Sequence, residues 1–217
     1  MEFSKSPLNQ IKRSPKRGIY DENEIYSILD RNFIANVSYS FEGIPLSIPT
    51  AYGRKDNKIY LHGALKNRML NSILEQGKAS LTVTEMKDLV LAKSAFHHSI
   101  NFHSVLVFGN TREITLKEEK LNALEIVSNN IIDGRWSEIR HPNEKELQIT
   151  LVVELEIENA SAKSRSGDPV DEEEDHNLPF WSGLLPIKTV YGEAVPDSFS
   201  QNITIPKSIL SANSSNE

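Results

Sequence analysis

Apolar positions recur along this chain sometimes at the two-residue period of strands and sometimes at the 3.6-residue period of helices. Asp21 followed by Glu24 has the form of a capping box, and Ile25, Ile28 and Leu29 then fall at helical spacing, so a short helix is expected there. Phe33, Ala35, Val37 and Tyr39 alternate with Ile34, Asn36 and Ser38, and Glu42-Gly43 turns the chain into a second strand over 44–52, which predicts a hairpin. Lys55-Asp56-Asn57 supplies another turn before a short strand over 59–62. Gly63 breaks that strand, and Met69, Leu70, Ile73 and Leu74 form a helical stripe closed by Gly77. Alternation returns at Ala79, Leu81 and Val83, and a further strand is expected over 102–109, pairing onward with 111–114. Thr115 and Glu118 form a second capping-box pattern, opening a helix with Leu121, Leu124, Val127 and Ile131 that Asp133-Gly134 stops. The clearest alternation is Leu147, Ile149, Leu151, Val153, Leu155 and Ile157, the signature of a long half-buried strand. From Ser161 onward loop is expected, with 211–217 disordered. Hairpin-linked strands interrupted by few helices predict a mainly β fold, an antiparallel sheet closed into a barrel with helices flanking it, rather than a doubly wound parallel sheet.

Composition narrows what this fold can do. At 217 residues, with 38% hydrophobic and 25% charged positions, the chain is long enough to bury a core. A formal charge of -6 argues against nucleic acid as a partner, because neutralising phosphates needs a basic face. Lys12, Arg13, Lys16 and Arg17 are the one basic cluster, read either as a loose solvated arm or as a phosphate or partner contact. The absence of cysteine removes disulfides, thiolate metal sites and cysteine nucleophiles, so any redox chemistry must come from a bound group. With no apolar leader region and no apolar run of about 18 residues, a cytoplasmic protein without a membrane partner is expected. The division expected is a flexible basic arm over 1–19, one domain over 20–195, and a flexible tail over 196–217.

Most candidate chemistry is weak when taken alone. His97, His98 and His103 lack a carboxylate at ligand spacing and read as polar lining rather than a metal site. No nucleophile elbow and no glycine-rich nucleotide fingerprint is present. The acidic run from Asp171 to Asp175 lacks the glycine and alternation of a calcium loop. One segment stands out: His62-Gly63 ends a strand, and Lys66, Asn67 and Arg68 stand at the start of a helix, where free N–H groups and the helix dipole favour an anion. It reads as a phosphate cradle, or as an ordinary cationic helix start.

The chain resembles the flavin-nucleotide-binding proteins related to pyridoxamine 5'-phosphate oxidase and the 5-nitroimidazole reductases. The segments that carry the likeness are RGIYD at 17–21, IPTAY at 48–52, YLHG at 60–63 with Arg68, LVLAKSAFHHSINFHSVLVFG at 89–109, ASAKSRSGDP at 160–169 and PFWSG at 179–183. The resemblance implies an FMN-binding split β-barrel, a homodimer with flavin at its interface, and an FMN-dependent oxidoreductase whose partner is a small-molecule substrate or NAD(P)H. It implies that Pro49, Thr50, Ala51 and Tyr52 follow the isoalloxazine edge, that Leu61 and His62 lie under the ring or ribityl chain, and that Asn67 and Arg68 take the phosphate. Ser104 would complete those contacts, while Lys163, Arg165 and Trp181 would approach from the partner subunit. His62 is also the candidate proton donor, against simple ring packing. Asn67 and His103 stand where relatives have serine and arginine, and imidazole in place of guanidinium implies a weaker grip on phosphate. The helix over 116–132 lacks the tyrosine and arginine of the second phosphate site in pyridoxamine phosphate oxidases, so that activity is not expected. The alternative is a non-enzymatic flavin or haem binder on the same barrel, with His97 or His98 as an axial ligand.

Overall fold

A computed structural model describes residues 1–214. A two-residue strand β1 (Gly18–Ile19) leads into helix α1 (Glu22–Asp30), which Asp21 caps by accepting the Glu24 N–H at 3.0 Å. Strands β2 (Ile34–Phe41) and β3 (Ile44–Ala51) form the expected hairpin, in register Tyr39↔Leu46 and Val37↔Ile48. Its two turn residues both have positive φ, 51° at Glu42 and 77° at Gly43, as a tight turn between twisted strands requires. Next come β4 (Gly53–Lys55), β5 (Lys58–Ala64) and α2 (Arg68–Gln76), the last closed by Gly77 in the left-handed region. Two long strands, β6 (Lys78–Leu91) and β7 (Ser99–Glu113), precede α3 (Lys117–Ile131) and a short α4 (Glu144–Gln148). The chain ends with β8 (Thr150–Arg165), β9 (Gly183–Pro186) and α5 (Lys207–Ser214).

The nine strands join in the order β3-β2-β6-β7-β8-β5-β4, with β1 on β8 and β9 on β6. The path ends at β3 and β4 without joining them, so the sheet expected to close into a barrel is not closed. By contact density the chain divides into two units. One comprises Met1–Arg31, Thr82–Val107 and Asn159–Lys188, the other Asn32–Leu81, Phe108–Glu158 and Thr189–Glu217. In the second, α3 packs on β4 and β5 around Tyr60, Leu124, Val127, Trp136 and Val152. In the first, α1 buries Ile25, Ile28 and Leu29.

Several expectations are corrected. The stretch over 147–149 is not strand: Asn143 and Glu146 cap each other reciprocally, and this local box draws Leu147 into α4, where it joins the core around α3. The strand begins at Thr150 and runs to Arg165, past the expected loop at Ser161. The second capping box does not form, for α3 starts after Leu116 without a side-chain cap. β7 passes unbroken through Gly109. Within the segment over 1–19, expected as a flexible arm, Phe3 N–H donates to Tyr20 O at 2.9 Å, and buried Asn9 donates to Ala160 O at 3.0 Å. Residues 211–214 are helical in α5, and the rest of that expected tail, 215–217, lies outside the described residues.

Candidate functional site

In the unit holding β2, β3 and α2, a depression of about 490 Å³ is lined by Tyr39, Ile48, Pro49, Thr50, Asn67 and Arg68. Its floor follows from the hairpin. Thr50 lies opposite Ala35 and Ile48 opposite Val37, so Ala35, Val37, Tyr39, Ile48 and Thr50 share one face of the ladder. Against that strand packs α2, whose first turn forms the rim. Asn67 is its N-cap and accepts the Leu70 N–H at 3.0 Å, leaving the Arg68 and Met69 N–H groups without an intrahelical acceptor. No acidic residue stands in that first turn. The Arg68 guanidinium is 4.8 Å from the centre of the Phe41 ring, is exposed, and meets no carboxylate among the described residues. A stacked, unneutralised guanidinium beside free N–H groups fits a phosphate.

Four sequence candidates therefore converge here: Pro49, Thr50, Asn67 and Arg68. Others do not. Tyr52 is fully buried, with its N–H donating to Phe33 O at 3.1 Å and its carbonyl accepting from Asn130 Nδ2 at 2.9 Å, so its backbone is already engaged. Leu61 is fully buried in the core, and Ala51, the last residue of β3, is half-buried. A Cβ on Gly63 would lie 3.0 Å from Asn67 Nδ2, so position 63 faces α2 and His62, one residue earlier, faces the other side of β5 beside Val152. The His62 side chain makes no hydrogen bond among the described residues; the residue is exposed overall, and partial desolvation of its ring holds its pKa below the ordinary imidazole value. Tyr39, Ile48 and Met69 are lining residues that sequence reading missed as site residues; alternation marks Tyr39 as core, but its buried hydroxyl has no hydrogen-bond partner.

The remaining candidates belong to the other unit. Ser104 Oγ approaches Lys163 O at 3.5 Å, and Lys163 itself is half-buried opposite Gly18. His103, where the resemblance implies an arginine, turns Nδ1 to Glu85 Oε2 at 3.1 Å instead. Arg165 is buried, donating to Asn101 Oδ1 and to Gly167 O, and Asn101 donates in turn to Asp88 at 3.0 Å. Burial first, and the charge of Arg17 second, push the Arg165 guanidinium below its ordinary pKa. Trp181 is 67% exposed. His98 places Nδ1 3.0 Å from the Ser94 carbonyl, and His97 Nε2 is 3.4 Å from Glu172. The acidic run is partly structural: Asp171 accepts the Lys93 and Ser94 N–H groups at 3.0 and 3.1 Å. Among the described residues no group of three or more His, Cys, Asp or Glu side chains could hold a metal ion.

A family model described as pyridoxamine 5'-phosphate oxidase matches residues 21–164. No curated protein matches the chain. Among solved structures, the flavocytochrome Anf3 from Azotobacter vinelandii is 32% identical over 95% of this chain and 97% of its own, with a TM-score of 0.88. A FAD and heme binding protein from Mycobacterium smegmatis is 28% identical over 91% of this chain and 97% of its own, with a TM-score of 0.85. A candidate 5-nitroimidazole antibiotic resistance protein from Bacteroides thetaiotaomicron, 19% identical over 67% of this chain and 85% of its own, shares the fold at a TM-score of 0.58.

Proposed function

Since the chain belongs to the pyridoxamine 5'-phosphate oxidase family, we propose that it binds a flavin nucleotide, FMN in the first instance, and acts as a flavin-dependent oxidoreductase. One observation carries this reading: Arg68, exposed and without a carboxylate, stands over Phe41 at the open first turn of α2, in the same depression as Thr50 and Asn67. A bound flavin supplies hydride and single-electron transfer, while the protein supplies binding and orientation. Here Arg68 and the α2 N–H groups hold the phosphate, and the Pro49–Thr50 edge of β3 offers backbone groups to the ring. His62 is exposed and faces away from α2 and the depression, which speaks against proton donation to a ring held there.

The test is spectroscopic. Purified protein should show oxidised-flavin absorbance, and cofactor released by heat should co-migrate with FMN rather than FAD or riboflavin on chromatography. NAD(P)H added under nitrogen should bleach that absorbance if it is the electron donor. A colourless protein that takes up no flavin in a fluorescence titration overturns the reading, and release of FAD moves the nucleotide assignment.

A second reading adds haem, because two relatives spanning nearly the whole chain are named as a flavocytochrome and as a FAD and heme binding protein. His98 suits it. A carbonyl can only accept, so Nδ1 donates to Ser94 O and, in the neutral ring, Nε2 is the unprotonated nitrogen an axial ligand needs. A Soret band that His98→Ala removes while flavin absorbance stays would establish it.

A further inference from the structure

We propose that the Tyr39 hydroxyl is a ligand-binding group, donating a hydrogen bond to the anionic phosphate end of whatever flavin nucleotide occupies the depression beside Arg68. This inference rests on the flavin reading above and deepens it. Tyr39 is 5% exposed, and its hydroxyl is buried without any hydrogen-bond partner. Such an atom is a standing cost, since burying an unsatisfied hydroxyl is unfavourable and phenylalanine would fill the same space without it. Its position explains why it is there. Tyr39 and Phe41 are two residues apart on β2 and project from the same face, and the Arg68 guanidinium sits 4.8 Å from the Phe41 ring centre. Tyr39, Asn67 and Arg68 line one depression, so the residue that bears the orphaned donor stands beside the open helix start and the unneutralised guanidinium. All three are donors, and a group bearing several acceptor oxygens and negative charge satisfies them together. The isoalloxazine ring does not supply that concentration of acceptors; a phosphate does.

The test uses Tyr39→Phe and Arg68→Ala in the full chain stripped of cofactor, with FMN and riboflavin as probes in fluorescence titrations and thermal melts of the unliganded proteins. Tyr39→Phe should weaken FMN at least tenfold, the low end of what one charge-assisted hydrogen bond contributes, and leave riboflavin within about twofold. Its unliganded melting temperature should equal or exceed that of the parent, because an unsatisfied buried hydroxyl has been removed; a purely structural tyrosine would give the opposite sign. If Arg68→Ala separates FMN from riboflavin while Tyr39→Phe affects neither or both equally, the Tyr39 assignment is overturned and the flavin reading stands. If neither variant separates the two probes, the phosphate does not bind in this depression and the Tyr39 assignment falls with that of Arg68; only a parent protein that takes up neither probe overturns the flavin reading itself.

Discussion

Glu85 gathers three cationic or donor groups: Arg31 at 3.1 Å, Lys87 at 2.9 Å and His103 at 3.1 Å. Partial burial raises its pKa, but the hydrogen bonds and charges of Arg31 and Lys87 outweigh that and bring it from 4.5 down to about 2. A carboxylate whose folded pKa lies below its unfolded value stabilises the fold above the unfolded value, and that contribution drains away as pH falls towards the folded one. Glu85→Gln should therefore lower stability at pH 7 by roughly 1–2 kcal/mol, discounted because the cations are nearly half exposed. The gap between variant and parent in urea melts should narrow from pH 5 to pH 3; a gap of constant size would show that the cluster acts through packing. This cluster was not legible in the sequence. Position 103 drew notice as a missing phosphate arginine, but nothing in a linear pattern shows that the imidazole meets a glutamate eighteen residues earlier. Tyr39 is the same kind of case. Strand alternation puts it inward, and only the assembled ladder shows that its hydroxyl has nothing to bond.

Elements were legible wherever local chemistry and long-range packing agree. Asp21, Glu42-Gly43 and Gly77 set α1, the β2–β3 turn and the end of α2 where their residue types predict. At 147–149 two local signals compete, and the Asn143–Glu146 box wins over alternation. Gly109 failed as a punctuation mark because its role is close approach: a Cβ there would stand 1.9 Å from Glu156 O on β8. Gly109→Ala must push two backbones apart, so a loss of about 3 kcal/mol or more is expected in chemical denaturation, against about 0.5–1 kcal/mol in either direction where space is free. The element following β7 carries a functional prediction. α3 has no tyrosine or arginine; Lys117 pairs with Glu144 at 2.8 Å, and Lys120 is buried against Leu147 O and Thr150 O. Beyond it, Arg140 forms a fork with Glu146 at 2.7 and 2.9 Å, and Arg135 faces Glu138 at 3.8 Å. These cations are already engaged, so a substrate phosphate would find no fixed-charge partner, and misplacement by about 1 Å can cost ~10²-fold in rate. Pyridoxamine 5'-phosphate should give no peroxide above the rate of free FMN; turnover abolished by Arg140→Ala would contradict this.

At the scale of the molecule, the candidate residues fall into two groups. Pro49, Thr50, Asn67 and Arg68 belong to one unit; Ser104, Lys163, Arg165 and Trp181 belong to the other. The chain also leaves much apolar surface uncovered. On β3, at one end of the sheet path, Ile44 is 60% and Ile48 38% exposed, and Pro45 and Pro49 lie on the same strand. The prolines remove backbone donors and discourage another chain from adding as a strand, so what covers this edge does so by side-chain packing. Phe180 and Trp181 in one unit, and Val195 and Phe199 in the other, are 60% exposed or more. Patches of this kind on a folded chain mark association, and a second copy related by a two-fold axis is the commonest way to bury a surface against itself. We therefore expect sedimentation equilibrium at micromolar concentration to give twice the 24.5 kDa chain mass with flavin bound. Trp181→Ala should weaken both the dimer and flavin retention if, as the family resemblance implies, that indole reaches the cofactor of the partner, and the dimer alone if it serves only to pack. A flavin-loaded monomer that persists on concentration would refute the dimer, and the second group of residues would then need another role.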